Sequence, residues 1–376
     1  MPSAERYVWA EVNLAALNNN MSRLKALCAP NVRFCAVVKG DGYGLGAVAV
    51  AREALAVGSD YLSVAAYSEA AELRSAGFTV PVLVLGHVMP EQANQVVAKR
   101  ITQAVYSFDQ AQALSRAAVD LGMTAKVHVK IDTGMSRLGV RPEAAAEFCA
   151  AVAALPNVEV EGAFTHFSSS DSEDKSVARA QFDRFQETLA AVAGKGVNLS
   201  IRHCCNSAAT MDMPYAHLDM VRPGTAMYGF TPGGNRMEER EDRWPIPLEP
   251  ALALKGRLSF VKPLKKGEQV GYGGTFTAPK DMILGTVPIG FADGYPRALS
   301  YKASVLVGGR RCPLAGRVCM DQSMVDLSEA PDAKMGDEVT FFGGSLPLDE
   351  LSTILGSINQ EFMTGLHKRV PREYVR

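Results

Sequence analysis

Up to about Thr225 the apolar positions repeat a two-part unit. Short runs rich in valine and other apolar residues occur at "FCAVVK" (34–39), "YLSVAA" (61–66), "VPVLVLG" (80–86), "ITQAVYS" (101–107) and "AKVHVKID" (125–132). Three more follow at "VEVEGAFTH" (158–166), "LSIRHCC" (199–205) and "LDMVRPG" (218–224). Runs this short and this apolar read as strands. Between them lie stretches such as "SEAAELRSAG", "FDQAQALSRAAVDLG" and "ARAQFDRFQETLAAVAGKG". Their apolar residues recur with helical spacing, and several end in the glycine that closes a helix. The pattern predicts a (β/α)8 TIM-like barrel over residues 10–240. A doubly wound open sheet is the competing arrangement, but no GxGxxG fingerprint supports a dinucleotide site in it.

After about residue 245 the texture changes. Proline and glycine punctuate short strand-like runs: "ALALKGRLSFVKPL", "DMILGTVPIGF", "ASVLVGGRRCPLAG", "SMVDLS" and "DEVTFFGG". A long helical pattern returns only in "PLDELSTILGSINQEFMTGL". These features predict a mostly β C-terminal domain over 246–376, with a linker near "GGNRMEEREDRWPIP" (233–247). The N-terminal "RYVWAEVNL" also reads as a strand, and residues 1–9 are expected to join the second domain.

Composition narrows the classes of function. The 376 residues are 47% hydrophobic and 21% charged with a net charge of −1, which suits a globular enzyme and gives no basic surface for nucleic acid. No run approaches a membrane span, and the start carries charges where a signal peptide needs an apolar stretch. A cytoplasmic location is expected. Seven cysteines form no CxxC pair, and six histidines form no HExxH pair. Reduced thiols and no catalytic metal are expected.

In such a barrel the active site lies at the C-terminal ends of the strands. Lys39 ends the first predicted strand, Arg137 follows the fifth, and His166 ends the sixth. Asn206 and Ser207 follow the seventh, and Arg222 ends the eighth. Each alone has an ordinary explanation: a solvated or ion-paired cation, a packing histidine, a turn. Their convergence on one rim points to a ligand. "NS" and "RPGT" offer hydroxyls and free backbone N–H groups of the kind that hold phosphate. A phosphate at one end and a lone lysine at the other would suit pyridoxal 5'-phosphate bound as a Schiff base.

The ordered set "AVVKGDGYGLG", "HVKIDTGMSRLGV", "EGAFTHF", "NSAAT", "VRPGTAMYG", "VGYGGTF", "GFADGYPR", "CMDQSMVD" and "KRVPREY" resembles the successive motifs of the alanine racemase family. The resemblance spans about residues 8 to 374. It implies a barrel followed by a β domain, and an isomerase interconverting L- and D-alanine through a pyridoxal-phosphate aldimine with two bases. It further implies a cytoplasmic homodimer that supplies D-alanine for peptidoglycan. Lys39 matches the lysine that bonds the cofactor. Tyr43, Ser207, the backbone at Gly224 and Thr225, and Tyr374 match phosphate ligands. Asn206 and His166 belong to the cofactor pocket, and Arg222 matches the arginine facing the pyridine nitrogen. Arg137 matches the residue near the phenolic oxygen and the substrate carboxylate. Tyr272 resembles the second base, on the L-alanine face, and Met320 offers a backbone N–H to the carboxylate; both would come from the partner subunit. His166 and Arg222 would form a relay that lowers the tyrosine's pKa. Lys130 matches a lysine that frequently carries a carbamate in the family, the ordinary alternative being a plain lysine paired with an acid.

The chain departs from the family pattern in several places. Gly40-Asp41-Gly42 stand where alanine and asparagine are usual, which is expected to loosen the loop, and Leu45 stands for a frequent histidine. Phe291 replaces an entrance tyrosine, and Gln360 replaces an aromatic with an expected structural effect only. A broad-specificity or serine racemase is therefore an alternative. A decarboxylase of the same fold would be expected to carry a carboxylate where Arg222 stands. A non-catalytic pyridoxal-phosphate carrier would lack the second domain.

Overall fold

A computed structural model describes residues 7–233 and 243–376. Most of the expected linker, and residues 1–6, lie outside the described residues. Eight parallel strands form one sheet in the order β8-β7-β6-β5-β4-β3-β2-β9. They are β2 (Arg33–Val37), β3 (Tyr61–Val64), β4 (Val82–Val84), β5 (Thr102–Val105), β6 (Ala125–Lys130), β7 (Val158–Phe164), β8 (Ile201–His203) and β9 (Met220–Val221). The sheet's edges meet where Asp219 N donates to Arg202 O at 3.0 Å and Arg222 N donates to Cys205 O at 2.9 Å. The expected barrel is therefore the fold, and the open sheet is not. Strands β3, β4 and β5 are buried at every residue. Helices cover them outside and side chains fill the inside, which is why their sequences run apolar without alternation.

The strands are shorter than the apolar runs. The first stops at Val37, so Lys39 lies beyond the strand's end and not on it. The cause is local. Gly40, Asp41, Gly42, Tyr43 and Gly44 all take left-handed backbone conformations, with φ of 63°, 53°, 61°, 54° and 85°. L-residues avoid this region by about 1–2 kcal/mol each, and three of the five are glycines. The glycines thus accommodate the turn rather than loosen it, contrary to the expectation from the family pattern. Asp41 Oδ1 accepts from Ala47 N at 2.9 Å and ties the turn to the next helix.

Gly44 also has no room for a side chain: a Cβ there would lie 2.1 Å from Met363 O. Gly44→Ala is expected to cost about 3 kcal/mol, from the left-handed backbone and the overpacking together. Gly77, at φ 88° with nothing within 4 Å, should cost only about 1 kcal/mol on the same change. Urea midpoints of the two variants check the difference.

The second domain is built on a six-stranded sheet in the order β16-β15-β18-β10-β1-β19. Its strands are β1 (Val8–Asn13), β10 (Leu252–Arg257), β15 (Ser304–Val307), β16 (Arg310–Pro313), β18 (Glu338–Phe342) and β19 (Arg372–Val375). The N-terminal strand β1 pairs antiparallel with β10, Val12 opposite Leu252, and parallel with β19, Val12 opposite Tyr374. Segments distant in sequence thereby lie side by side in one sheet. Smaller pairings complete the domain: β11 (Phe260–Leu264), β14 (Met282–Val287) and β17 (Ser323–Asp326) form one sheet, and β12 (Gln269–Val270) pairs β13 (Phe276–Thr277). The helix Asn359–Gly365 brings Met363 and Thr364 against the left-handed turn. Among the described residues no helix is long and apolar enough to cross a membrane.

Candidate active site

A cavity of about 430 Å³ opens at the C-terminal ends of the barrel strands. Its walls bring together Lys39, Tyr43, Lys130, Arg137, His166, Asn206, Ser207, Arg222, Gly224 and Thr225. These residues come from the ends of five different strands and the loops that follow them, which is what the barrel architecture makes possible.

The left-handed turn places both Lys39 and Tyr43 on the cavity. Burial pulls the Lys39 ammonium below its ordinary pKa, and Arg137 and Arg222 add to this against the opposing Glu69. The result is a more readily available free amine, the form that attacks a carbonyl. The Tyr43 ring stacks on Tyr228 at 4.5 Å. Burial pushes its hydroxyl up to about 12, despite a bond with Thr225, so it faces the cavity as a neutral donor.

One wall is shaped to receive an anion. Ser207 Oγ accepts from Gly224 N at 2.8 Å and Ala226 N at 3.2 Å. Its own proton therefore remains to be donated elsewhere. Asn206 Oδ1 accepts from Ser170 Oγ at 2.8 Å and Ala209 N at 3.0 Å, which holds Ser207 in place. Glycine at 224 is required by the close approach of Tyr43: a Cβ would stand 2.6 Å from the phenol oxygen. Hydroxyls and a bare backbone concentrated at one end of a cavity fit a phosphate, and a desolvated lysine amine fits an aldehyde. The residues present therefore fit pyridoxal 5'-phosphate.

The opposite wall is cationic. Arg222, 4% exposed, donates to His203 Nδ1 at 2.6 Å and to Thr165 O at 2.9 Å. Phe164 packs beneath, with both Arg222 Cζ and Lys130 Nζ 5.3 Å from its ring centre. Burial brings the Lys130 amine down to about 7, and Arg222 and Arg137 outweigh the contrary pull of Asp132. His166 is held well below the ordinary imidazole range by burial, then by Arg222, Lys130, Arg137 and Lys39. His166 is neutral, and the bonds of Arg222 run to His203 and Thr165. His166 and Arg222, the two members of the expected relay, share this cavity wall.

Three expected residues are elsewhere. Tyr374 does not line the cavity. Its position on β19 turns the hydroxyl to Leu45 O, to which it donates at 3.0 Å. Gln360 stands in the cavity wall instead. Its Nε2 donates to Thr225 Oγ1 at 2.9 Å, and its Oε1 is buried without a partner among the described residues. The replacement expected to act structurally thus touches a residue of the expected cofactor pocket. Tyr272 and Met320 lie on a separate concave face of the second domain, 72% and 56% exposed. The single subunit does not bring them to Lys39.

The sequence reading missed a buried set behind Arg222: His203, His128 and Glu161. The only signal was polar residues inside apolar strands, in "VHVK" and "VEVEG".

Comparison with known proteins now adds an independent line. Residues 12–232 match the family described as "Alanine racemase, N-terminal domain", and residues 251–374 match "Alanine racemase, C-terminal domain". An alanine racemase of Desulfovibrio desulfuricans is 52% identical over 376 residues, covering 100% of both chains. One from Desulforamulus reducens is 45% identical, covering 98% of this chain and 99% of the relative. Among solved structures, alanine racemase from Clostridium difficile superposes with a TM-score of 0.94 at 37% identity, over 99% of this chain and 97% of that one. The Bacillus anthracis alanine racemase with bound L-Ala-P gives 0.92 at 36% identity, over 99% and 95%.

Proposed function

Since the chain belongs to the alanine racemase family, we propose that it interconverts L- and D-alanine with pyridoxal 5'-phosphate and two bases on opposite faces of the substrate. The observation that carries this reading is the joining of a desolvated lysine, a cluster of hydroxyls and backbone at Gly224 and a buried arginine in one cavity. Arg222 stands where a same-fold decarboxylase would carry a carboxylate, and a simple carrier would lack the domain at 251–374.

When bound, the cofactor supplies an electron-accepting ring that makes the substrate's α-proton acidic. Tyr43, Ser207 and the backbone at Gly224 and Thr225 would hold its phosphate. Lys39 would hold its aldehyde carbon and move a proton on the D-alanine face. Arg222 would donate to the ring nitrogen, and because a guanidinium has no acceptor the nitrogen would stay unprotonated. Arg137, with the backbone N–H of Met320 from a second copy, would orient the substrate carboxylate. Tyr272 of a second copy would serve the L-alanine face, so the working unit is a homodimer. The same reading puts the enzyme in the cytoplasm, supplying D-alanine for peptidoglycan.

The test is chiral chromatography after L-alanine and L-serine are each incubated with the protein in heavy water. Both alanine enantiomers should appear, carrying deuterium at the α-carbon, with serine turning over far more slowly. Equal rates would move the reading to a broad-specificity racemase. That alternative draws on Phe291, whose N–H donates to Cys319 O at 3.0 Å beside Met320. Carbon dioxide with an amine as products would overturn racemisation.

Lys130 adds a second expectation. An amine at about 7 is largely unprotonated in mild alkali and can take up carbon dioxide. The carbamate would place an anion between Arg222 and Arg137, where the lysine cation is disfavoured. In bicarbonate buffer above neutral pH, intact mass should rise by one carbon dioxide, and Lys130→Ala should remove the gain. An unshifted wild-type mass would leave a plain lysine.

A further inference from the structure

Behind the cavity wall a chain of hydrogen bonds runs through the barrel interior. Arg222 Nη1 meets His203 Nδ1 at 2.6 Å, His203 Nε2 meets His128 Nδ1 at 2.7 Å, and His128 Nε2 meets Glu161 Oε2 at 3.1 Å. Both imidazoles are fully buried and Glu161 is 8% exposed.

The chemistry of the two ends sets every proton between them. A guanidinium carries donors only, so His203 Nδ1 must present its lone pair. The His203 proton therefore sits on Nε2 and points at His128 Nδ1, which must accept. The His128 proton sits on Nε2 and points at a carboxylate, which only accepts. Any other neutral assignment sets two donors or two acceptors face to face. Burial and Arg222 hold His203 well below the ordinary range, and burial above all lowers His128 against the pull of Glu161. Both rings are thus held toward the neutral form.

The backbone is shaped for this chain. The β6–β7 pairing slips between Val127, opposite Val160, and His128, opposite Gly162. Glu161 is the extra residue of that bulge, a device that re-aims a side chain. Gly162 leaves space for the ring: a Cβ there would lie 3.0 Å from His128 Cε1. Tyr61 Oη and Lys126 Nζ each donate to Glu161 at 2.6 Å, and Phe164 stacks on His203 at 4.9 Å with the planes 7° apart.

We propose that Glu161 is a positioning residue for Arg222, acting through His128 and His203 as two tautomer-locked rings that hold the guanidinium's direction toward the cofactor's ring nitrogen. The inference rests on the reading that Arg222 faces that nitrogen. Glu161 touches neither cofactor nor substrate, and no proton needs to travel along the chain.

The experiment uses holoenzyme labelled with 15N-histidine. In the wild type both rings should show a protonated Nε2 and a bare Nδ1. Glu161→Gln keeps an acceptor for His128, since Lys126, 47% exposed, can turn away from the amide; it should keep both tautomers. Glu161→Leu removes the acceptor and should lose the pattern at His128. It should also raise pyruvate released per racemisation turnover roughly tenfold, the size of one lost hydrogen bond to a charged group. A protonated Nδ1 or an imidazolium at either ring in the wild type would overturn the proposal, even if Glu161→Leu does not fold. So would a folded Glu161→Leu whose pyruvate ratio is unchanged while Arg222→Glu raises it. If Arg222→Glu itself leaves pyruvate unchanged, the ring-nitrogen reading falls, and the imidazole spectra alone then uphold or sink the chain of tautomers.

Discussion

Tyr272→Phe is expected to slow L-to-D conversion by about two to four orders of magnitude, the range for loss of a positioned general base. The change removes one hydroxyl from a side chain that is 72% exposed in its own subunit, so stability should hardly move. The sharper form of the test exploits where the residue lies. Lys39 lines the barrel cavity, and Tyr272 stands on a separate face of the second domain. If the site is shared, a Lys39→Ala dimer and a Tyr272→Phe dimer are each inactive alone. After subunit exchange, half of the randomly paired dimers contain one copy of each. Such a hybrid has one site with both changes and one with neither, so about a quarter of wild-type activity returns. If each subunit completes its own site, mixing restores nothing. Alanine turnover before and after exchange through mild denaturant decides between the two.

Arg222→Glu is expected to convert part of the racemase activity into abortive transamination. A carboxylate beside the ring nitrogen favours its protonated form, and a charge at contact distance moves a pKa by about one to three units. With the cofactor bound, the substitution would thereby favour protonation at the wrong carbon. Pyruvate released per racemisation turnover should increase by about tenfold or more. Racemisation itself should fall, because the guanidinium also donates to His203 and Thr165, and a carboxylate has no proton for either. Coupled assay of pyruvate beside chiral analysis of alanine gives the ratio. An unchanged ratio would mean that Arg222 does not govern the ring nitrogen.

Much of the barrel is legible in the sequence. Strands buried on both faces must be apolar throughout, and helices packed on them must be apolar on one side, so both periods are written locally. Lys39 is visible for a similar reason, since an unpaired cation ending an apolar run is conspicuous. The left-handed turn is half visible: the glycines of "KGDGYGLG" are plain, but their pattern alone suggests looseness. Whether glycine relaxes a loop or permits a strained one depends on φ, and the lack of room for a side chain at Gly44 comes from Met363, far away in the sequence.

Tyr374 and Gln360 show the limit of motif matching. Both come from the last stretch of the chain, and their residue types suit either role. The pairing of β19 with β1 turns Tyr374 to Leu45, while the helix Asn359–Gly365 puts Gln360 against Thr225.

The sequence by itself determined the alternation of strand and helix, the change to a β-rich second domain, and a set of polar residues gathered at one rim. These follow from periodicity and turn chemistry, which act over a few residues. Only the tertiary structure decided the partners of each side chain. The register slip between β6 and β7 aims Glu161 at His128, and the fold brings His203 between His128 and Arg222, across 94 residues from first to last. Such contacts depend on which residues distant in sequence come to lie side by side, and hydrogen-bond geometry is decided over distances of less than an ångström. A pattern of apolar and polar positions carries no information at that scale.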